Sequence, residues 1–185
     1  PHLAYADYVV AYSEVIADKS RELGNDRVLG IGKPGINMQP VGQREQLSVT
    51  IISFISSLEN EIFSYAQNLA NRLDKSKYLV VYKFHNSELW GKEEIAKIEQ
   101  ETGNLKFMAG KADIRDLIGK SDIVVGIRSS GIFDALPYPG VKVIAVRDRA
   151  VNLSEAKPDG ILQEAALRGD IVMAEDEDQL YQEVV

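Results

Sequence analysis

His85 is one of only two histidines in the chain, and it directly follows an apolar run, Tyr78–Phe84. Lys83 stands two positions before it. In an extended segment residues two apart share a side, so Lys83 and His85 face one way and Phe84 the other. An imidazole so placed can donate to a phosphate oxygen, more strongly when protonated. It can equally be a hydrogen-bonded structural histidine. Further along, Arg128, Ser129, Ser130 and Gly131 follow another apolar run and open a short helical pattern. Free backbone N–H groups at a helix start favour an anion, and Gly131 allows close approach. The same turn also reads as an ordinary helix cap. Ser56 and Ser57 follow Leu47–Ile55, Gly110 and Lys111 follow Leu105–Met108, and Arg147, Asp148 and Arg149 follow Val141–Val146. Each set can donate hydrogen bonds and several are cationic, which suits a phosphate. Polar loops are also common to any α/β domain.

Other chemistries fit less well. Gly30-Ile31-Gly32-Lys33-Pro34-Gly35 matches the dinucleotide fingerprint as a string. That fingerprint needs a helix at once and an acid about 20 positions on. Ile36–Gln46 is polar, contains Pro40 and has no helical period, and Pro34 lacks the N–H such a loop uses. The segment reads as turn and linker. Glu14, Glu59, Glu88 and Asp134 are candidate general acids or bases, though surface or capping roles suit them better. No Ser-His-Asp triad assembles from the spacing, and no acids cluster after the first long strand. The acidic run Glu175–Asp178 reads as a solvated entry to the last helix. With no cysteine there are no disulfides or Cys nucleophiles, and two histidines argue against a zinc site.

The elements that must position these residues follow from the apolar pattern. A length of 185 residues allows one domain, or one plus a fragment. Apolar residues at 45% and charged residues at 26% are an ordinary globular balance. The net charge of −7 argues against a nucleic-acid partner, since phosphate-backbone binding needs a basic excess. No apolar run approaches the roughly 20 residues that span a bilayer, and no signal peptide is visible. Pro1 follows no Met, which is consistent with processing or with a piece of a longer protein.

Ala6–Tyr12 and Arg27–Ile31 read as short strands around a helix, Glu14–Leu23. Residues 32–46 form the linker candidate. Five near-continuous apolar strands then follow at 47–55, 78–84, 105–108, 122–127 and 141–146. Helical patterns at 58–74, 93–102, 114–118 and 131–136 alternate with them. Ser56 with Glu59 makes a capping box before the first of these. Ile161–Leu167, Ile171–Ala174 and Asp178–Val184 finish the chain. Strands apolar on both faces, separated by helices, imply an α/β fold: a doubly wound, Rossmann-like parallel sheet. In such sheets ligands bind beyond the carboxyl ends of the strands, where the polar sets above lie.

The order "ADYVVAYSE", "RVLGIGKPGIN", "KFHN" and "SDIVVGIRSSGIFDAL" resembles the donor half of GT-B-type glycosyltransferases. It is closer to the sialyltransferase-like, Kdo-transferase-like and CDP-glycerol-transferase-like enzymes of bacterial surface polysaccharides. Those carry a His-Pro motif after one strand and a Ser-Ser or Ser-Thr motif after a later one. Carried over, His85 takes the place of the His, Ser129 and Ser130 take the second motif, and Asn86 stands where Pro is expected. The resemblance implies that His85, Ser129 and Ser130 bind the phosphates of a CMP-, CDP- or UDP-activated sugar. Gly131, Arg128, Lys83, Asn86, Ser56 and Ser57 would assist. The nucleotide-sugar is the substrate; no cofactor and no metal are implied.

It also implies a division into 1–41, the tail of a preceding domain plus linker, and 42–185, the donor-binding domain. The acceptor domain would then lie outside this chain, and the chain alone would not transfer. A cytoplasmic location follows, with room for peripheral membrane association through the whole protein. Two alternatives stay open: an epimerase-like UDP-sugar domain, and a non-catalytic regulatory or interaction domain.

Overall fold

The computed structural model describes residues 9–11, 14–30, 45–52, 59–85, 90–108, 111–127, 130–147 and 165–185. The main body is one parallel sheet of six strands: β3 (Leu47–Ile52), β4 (Tyr78–Lys83), β5 (Leu105–Met108), β6 (Ile123–Gly126), β7 (Lys142–Val146) and β8 (Val172–Ala174). Their spatial order is β5-β4-β3-β6-β7-β8. This is the doubly wound order 3-2-1-4-5-6. Ahead of it stand β1 (Val9–Ala11), α1 (Glu14–Glu22) and β2 (Val28–Gly30), where β1 and β2 form a separate parallel pair.

Five of the six body strands lie where the apolar runs place them. The sixth corrects the expected number. Ile171–Ala174 carries no type in the sequence, because its few residues are too short a run for any periodicity. It owes its strand character to pairing alongside β7, Ile144 opposite Val172 through Val146 opposite Ala174.

Helices cover both faces. On one lie α2 (Glu59–Arg72), α3 (Lys92–Thr102) and the last helix, α6 (Glu177–Val184). Here Ile62, Tyr65, Ala66 and Leu69 of α2 pack on Val49 and Ile51, Val80 and Tyr82, and Val125. The other face carries α4 (Ile114–Ile118) and α5 (Ser130–Ala135). Ile118, Ile132 and Ala135 cover Ile52, Val124, Val143 and Ala145 there. Alternate residues of each central strand thus enter different cores. Each large aliphatic side chain so enclosed contributes about 1.5–3 kcal/mol.

Helix α3 ends at Gly103, whose φ of 79° is left-handed and whose N–H donates to the Glu99 carbonyl. Glycine adopts that conformation without steric cost. The amino-terminal ends of the central strands are tied by side chains. Asp122 accepts from the Ser48 N–H at 2.7 Å, and Thr50 and Ser121 share a buried hydroxyl hydrogen bond of 2.6 Å. Ser121 also donates to the Leu117 carbonyl at 2.8 Å, at the end of α4.

The acidic run before α6 is more than a solvated entry. Asp176 caps the helix by accepting from the Gln179 N–H. Glu177 accepts from Asn68 at 2.7 Å and Asp178 pairs with Arg72 at 2.8 Å, both across to α2. Ser64, Asn68 and Arg72 form an i, i+4, i+8 stripe on α2, a spacing that puts them on one helix face. The Arg72 guanidinium also lies over the Tyr181 ring, 4.1 Å from its centre. Sequence spacing around 175–178 contains no sign of this partner, because the basic and amide groups lie about a hundred positions away.

The β1–α1–β2 unit touches the body through Asp18, which accepts from Arg168 at 2.7 Å and also pairs with Arg21. The Arg168 hydrogen bond, followed by that of Arg21, holds the Asp18 carboxyl below its ordinary range.

Candidate functional site

Because all six strands run parallel, all their carboxyl ends open on one rim. Register sets the level. Ile52 lies opposite Lys83 on one side and opposite Gly126 on the other. Met108 is level with Lys83, and Ala145 with Gly126. The chain leaves β3 toward α2 on one face and β6 toward α5 on the other, so a crevice opens between β3 and β6, the topological switch point.

His85 lies two residues beyond the level of Lys83 and is half-buried. Ser130 begins α5 four residues beyond Gly126, and Gly131 in its first turn is buried. One strand, β3, separates the two exits, a lateral offset of about 10 Å at ordinary strand spacing. The topology therefore brings the segment carrying His85 and the start of α5 to the same edge of the sheet. Arg128, Ser129, Asn86, Ser56 and Ser57 lie outside the described residues, as does the Gly30–Gly35 match beyond Gly30. In sequence Arg128 and Ser129 follow β6, Asn86 follows β4, and Ser56 and Ser57 follow β3, the strands that end at that edge.

Lys83 is also at this edge, but its side chain is only 5% exposed. Its Nζ donates to the carbonyl of Phe84 at 2.9 Å. A buried ammonium needs such acceptors, and this one holds the backbone immediately before His85. Phe84 points the other way, into the core under α2 and α3, as alternation requires.

Sequence reasoning singled out none of the aromatic residues on that side. Phe63, Tyr82, Phe84, Trp90 and Phe107 come from four separate segments and meet beside the rim. The available signal was the alternation of Tyr82 and Phe84 at the end of β4 with Phe107 at the end of β5. Only strand adjacency, which the sequence does not print, brings them together.

Among the described residues no helix is long and apolar enough to cross a membrane. No family model matches the sequence, and neither does any curated protein. Solved structures do match. Over 95% of this chain and 45% of the other, the fold superposes on the glycotransferase of kitacinnamycin with a TM-score of 0.61 at 14% identity. A glycosyltransferase from Rickettsia africae matches with a TM-score of 0.51 at 13% identity, over 96% of this chain and 52% of that one. Anabaena HepE, solved in complex with UDP-glucose, matches with a TM-score of 0.50 at 14% identity, over 98% and 54%. The chain spans about half the length of these structures. At such identities the likeness is one of fold: this chain has the Rossmann-like architecture of one half of a GT-B glycosyltransferase.

Proposed function

We propose that this chain is the donor-binding half of a glycosyltransferase and holds a nucleotide-activated sugar at the crevice between β3 and β6. The observation that carries the reading is the strand order, which sends His85 and the start of α5 to one edge on either side of β3. In this reading His85, Ser129 and Ser130 hold the donor phosphates. The backbone around Gly131 allows their approach, and Arg128, Asn86, Ser56 and Ser57 complete the polar rim. Lys83 acts from below, where its charge is partly desolvated and its hydrogen bond fixes Phe84. Such donors stabilise the negative charge that grows on the departing nucleotide phosphate.

The nucleotide is CMP, CDP or UDP, and the product a bacterial surface polysaccharide. The complex of HepE with UDP-glucose, on a similar fold, makes the uridine donor a direct alternative to the cytidine one.

Residues 1–41 would be the tail of a second, acceptor-binding domain plus a linker. A parallel pair of strands is too small to stand alone, and here Leu29 in β2 is 47% exposed and Leu23, after the end of α1, 81% exposed. Both suit a unit that continues into a larger sheet. Donor binding without transfer is then expected of this chain, and cytoplasmic action of the whole enzyme.

Calorimetric titration with CMP, CDP, UDP and GDP tests the reading. Saturable binding is expected for a pyrimidine nucleotide. His85→Ala should weaken it about tenfold or more, as for loss of a hydrogen bond to a charged group. No binding of any nucleotide at millimolar concentration, with the chain folded, rejects the proposal.

A further inference from the structure

We propose that a second ligand site opens at the amino-terminal edge of the sheet, on the face that carries α4, and that it takes an apolar zwitterion: an apolar amino acid or a short apolar peptide. The site does not depend on the donor-binding reading. It lies at the other end of the strands, about 20 Å away along a strand of six residues.

Alternation and register build its floor. Val80 and Tyr82 of β4, like Val49 and Ile51 of β3, enter the core under α2. Ser48, Leu79 and Val81 therefore face the other way. On that face Thr50 bonds Ser121, and Ile52 shares a core with Ile118, so Ser48 is on the α4 side. Ser48 is level with Leu79, and Thr50 with Val81. Helix α4 has only five residues, a length of about 8 Å. Its Ile118 serves Ile52 of β3 and Val124 of β6, and the helix is too short to reach across β4 as well. A cavity of about 540 Å³ remains between Leu117, near the end of α4, and Leu79 and Val81 of β4. That volume is ordinary for a small-molecule site.

Two features distinguish it from a packing gap. Ser48 lines the cavity and is 8% exposed. Its backbone is satisfied by Asp122, whose carboxylate accepts from the Ser48 N–H and whose N–H donates to the Ser48 carbonyl. Among the described residues its hydroxyl has no hydrogen-bond partner. A buried hydroxyl of this kind is costly unless a bound molecule supplies the partner. The second feature is charge. Lys120 and Glu45 line the same cavity, both exposed, and among the described residues neither has an ion-pair partner. Beside Glu45 the rim is fixed, because Gln46 donates from Nε2 to the Lys75 carbonyl at 2.8 Å.

These groups select the occupant. A carboxylate finds two donors, the Ser48 hydroxyl and the Lys120 ammonium. An ammonium finds the Glu45 carboxylate. An apolar side chain finds Leu79, Val81 and Leu117. A fatty carboxylate uses the first and third of these and meets Glu45 as a like charge, so a zwitterion is the better match.

The whole chain is titrated with leucyl-leucine, leucine and octanoate while its backbone amides are followed by NMR. Leucyl-leucine or leucine should shift Leu79, Val81, Leu117 and Lys120 saturably. Tighter binding of the dipeptide identifies a peptide as the occupant, and tighter binding of leucine the free amino acid. Octanoate should bind about fivefold more weakly than the better of the two, for want of the ammonium. Ser48→Ala should weaken binding about tenfold, as for loss of a hydrogen bond to a charged group. Its melting temperature should be unchanged or raised, since the hydroxyl it removes has no internal partner. Lys120→Ala should weaken binding by up to about fivefold.

No saturable shift at these residues with any of the three probes at millimolar concentration overturns the proposal. So does octanoate binding as tightly as the zwitterions, or undiminished binding to Ser48→Ala. A lower melting temperature in Ser48→Ala would give the hydroxyl a structural partner and overturn it too.

Discussion

The β1–α1–β2 unit and the body that begins at β3 are written in the same local pattern. Each has an apolar strand, a helix with an apolar stripe, and a second strand parallel to the first. Their surroundings differ. In the body, β3 has a strand on either side and helices on both faces, and Val49 and Ile51 are fully enclosed. In the unit, Val28 is buried against its own helix side, while Leu29, the next residue, is nearly half exposed. Local pattern decides which elements form. The number of neighbours decides how much of each is dry, and hence how much it stabilises.

Substitutions can break this contrast or sharpen it. The largest effect is expected for Ile51→Ala, in the most enclosed strand. It should cost about 3–4 kcal/mol in urea unfolding, since the packed surroundings relax only partly. A loss below about 1 kcal/mol would mean that β3 is not the dry centre of the body.

Asp122→Ala comes next. It removes the acceptor of the Ser48 N–H, leaving a buried donor without that bond at the β3–β6 junction. The expected cost is about 1–3 kcal/mol. Hydrogen exchange at Ser48 should accelerate more than exchange in β1 or β2.

Asp18→Asn should have the smallest effect, because the side chains of its ion pairs are 33–35% exposed and solvent screens them. Its pH dependence is diagnostic. The Asp18 carboxyl is held below its ordinary value by Arg168 first and Arg21 second. Its contribution is therefore complete above the unfolded-state value and fades as pH falls through the folded one. Melting temperatures of the two proteins should differ slightly at neutral pH and converge in acid. A gap that persists in acid would point to a role for the side chain other than its charge.

Much of the body was legible because enclosure on both faces leaves a mark in the chain. Leu105–Met108 and Ile114–Ile118 have the same bounds in sequence and structure, and the ends expected at 6–8 and 53–55 lie outside the described residues. β8 was not legible, since three residues have no period and their conformation is set by β7. The pairing of Glu177 and Asp178 with α2 was hidden for a similar reason, as both need a partner remote in sequence. For the site, alternation in β4 correctly set Phe84 apart from Lys83, and the strand pattern implied the common edge. The burial of Lys83 and the gathering of five rings, Trp90 among them, were not foreseeable. Both depend on which strands become neighbours, and a linear pattern does not contain that information.

The bond from Asn68 to Glu177 joins residues 109 positions apart. A ribosome adding about 5–20 residues per second would need on the order of 10 s to cover that interval. Throughout it, the polar stripe of α2 and the apolar surface awaiting Leu180 and Val184 would have no final cover. A newborn chain would thus spend its first seconds with a sticky flank, and a chaperone that recognises apolar helix surfaces would have that window in which to act.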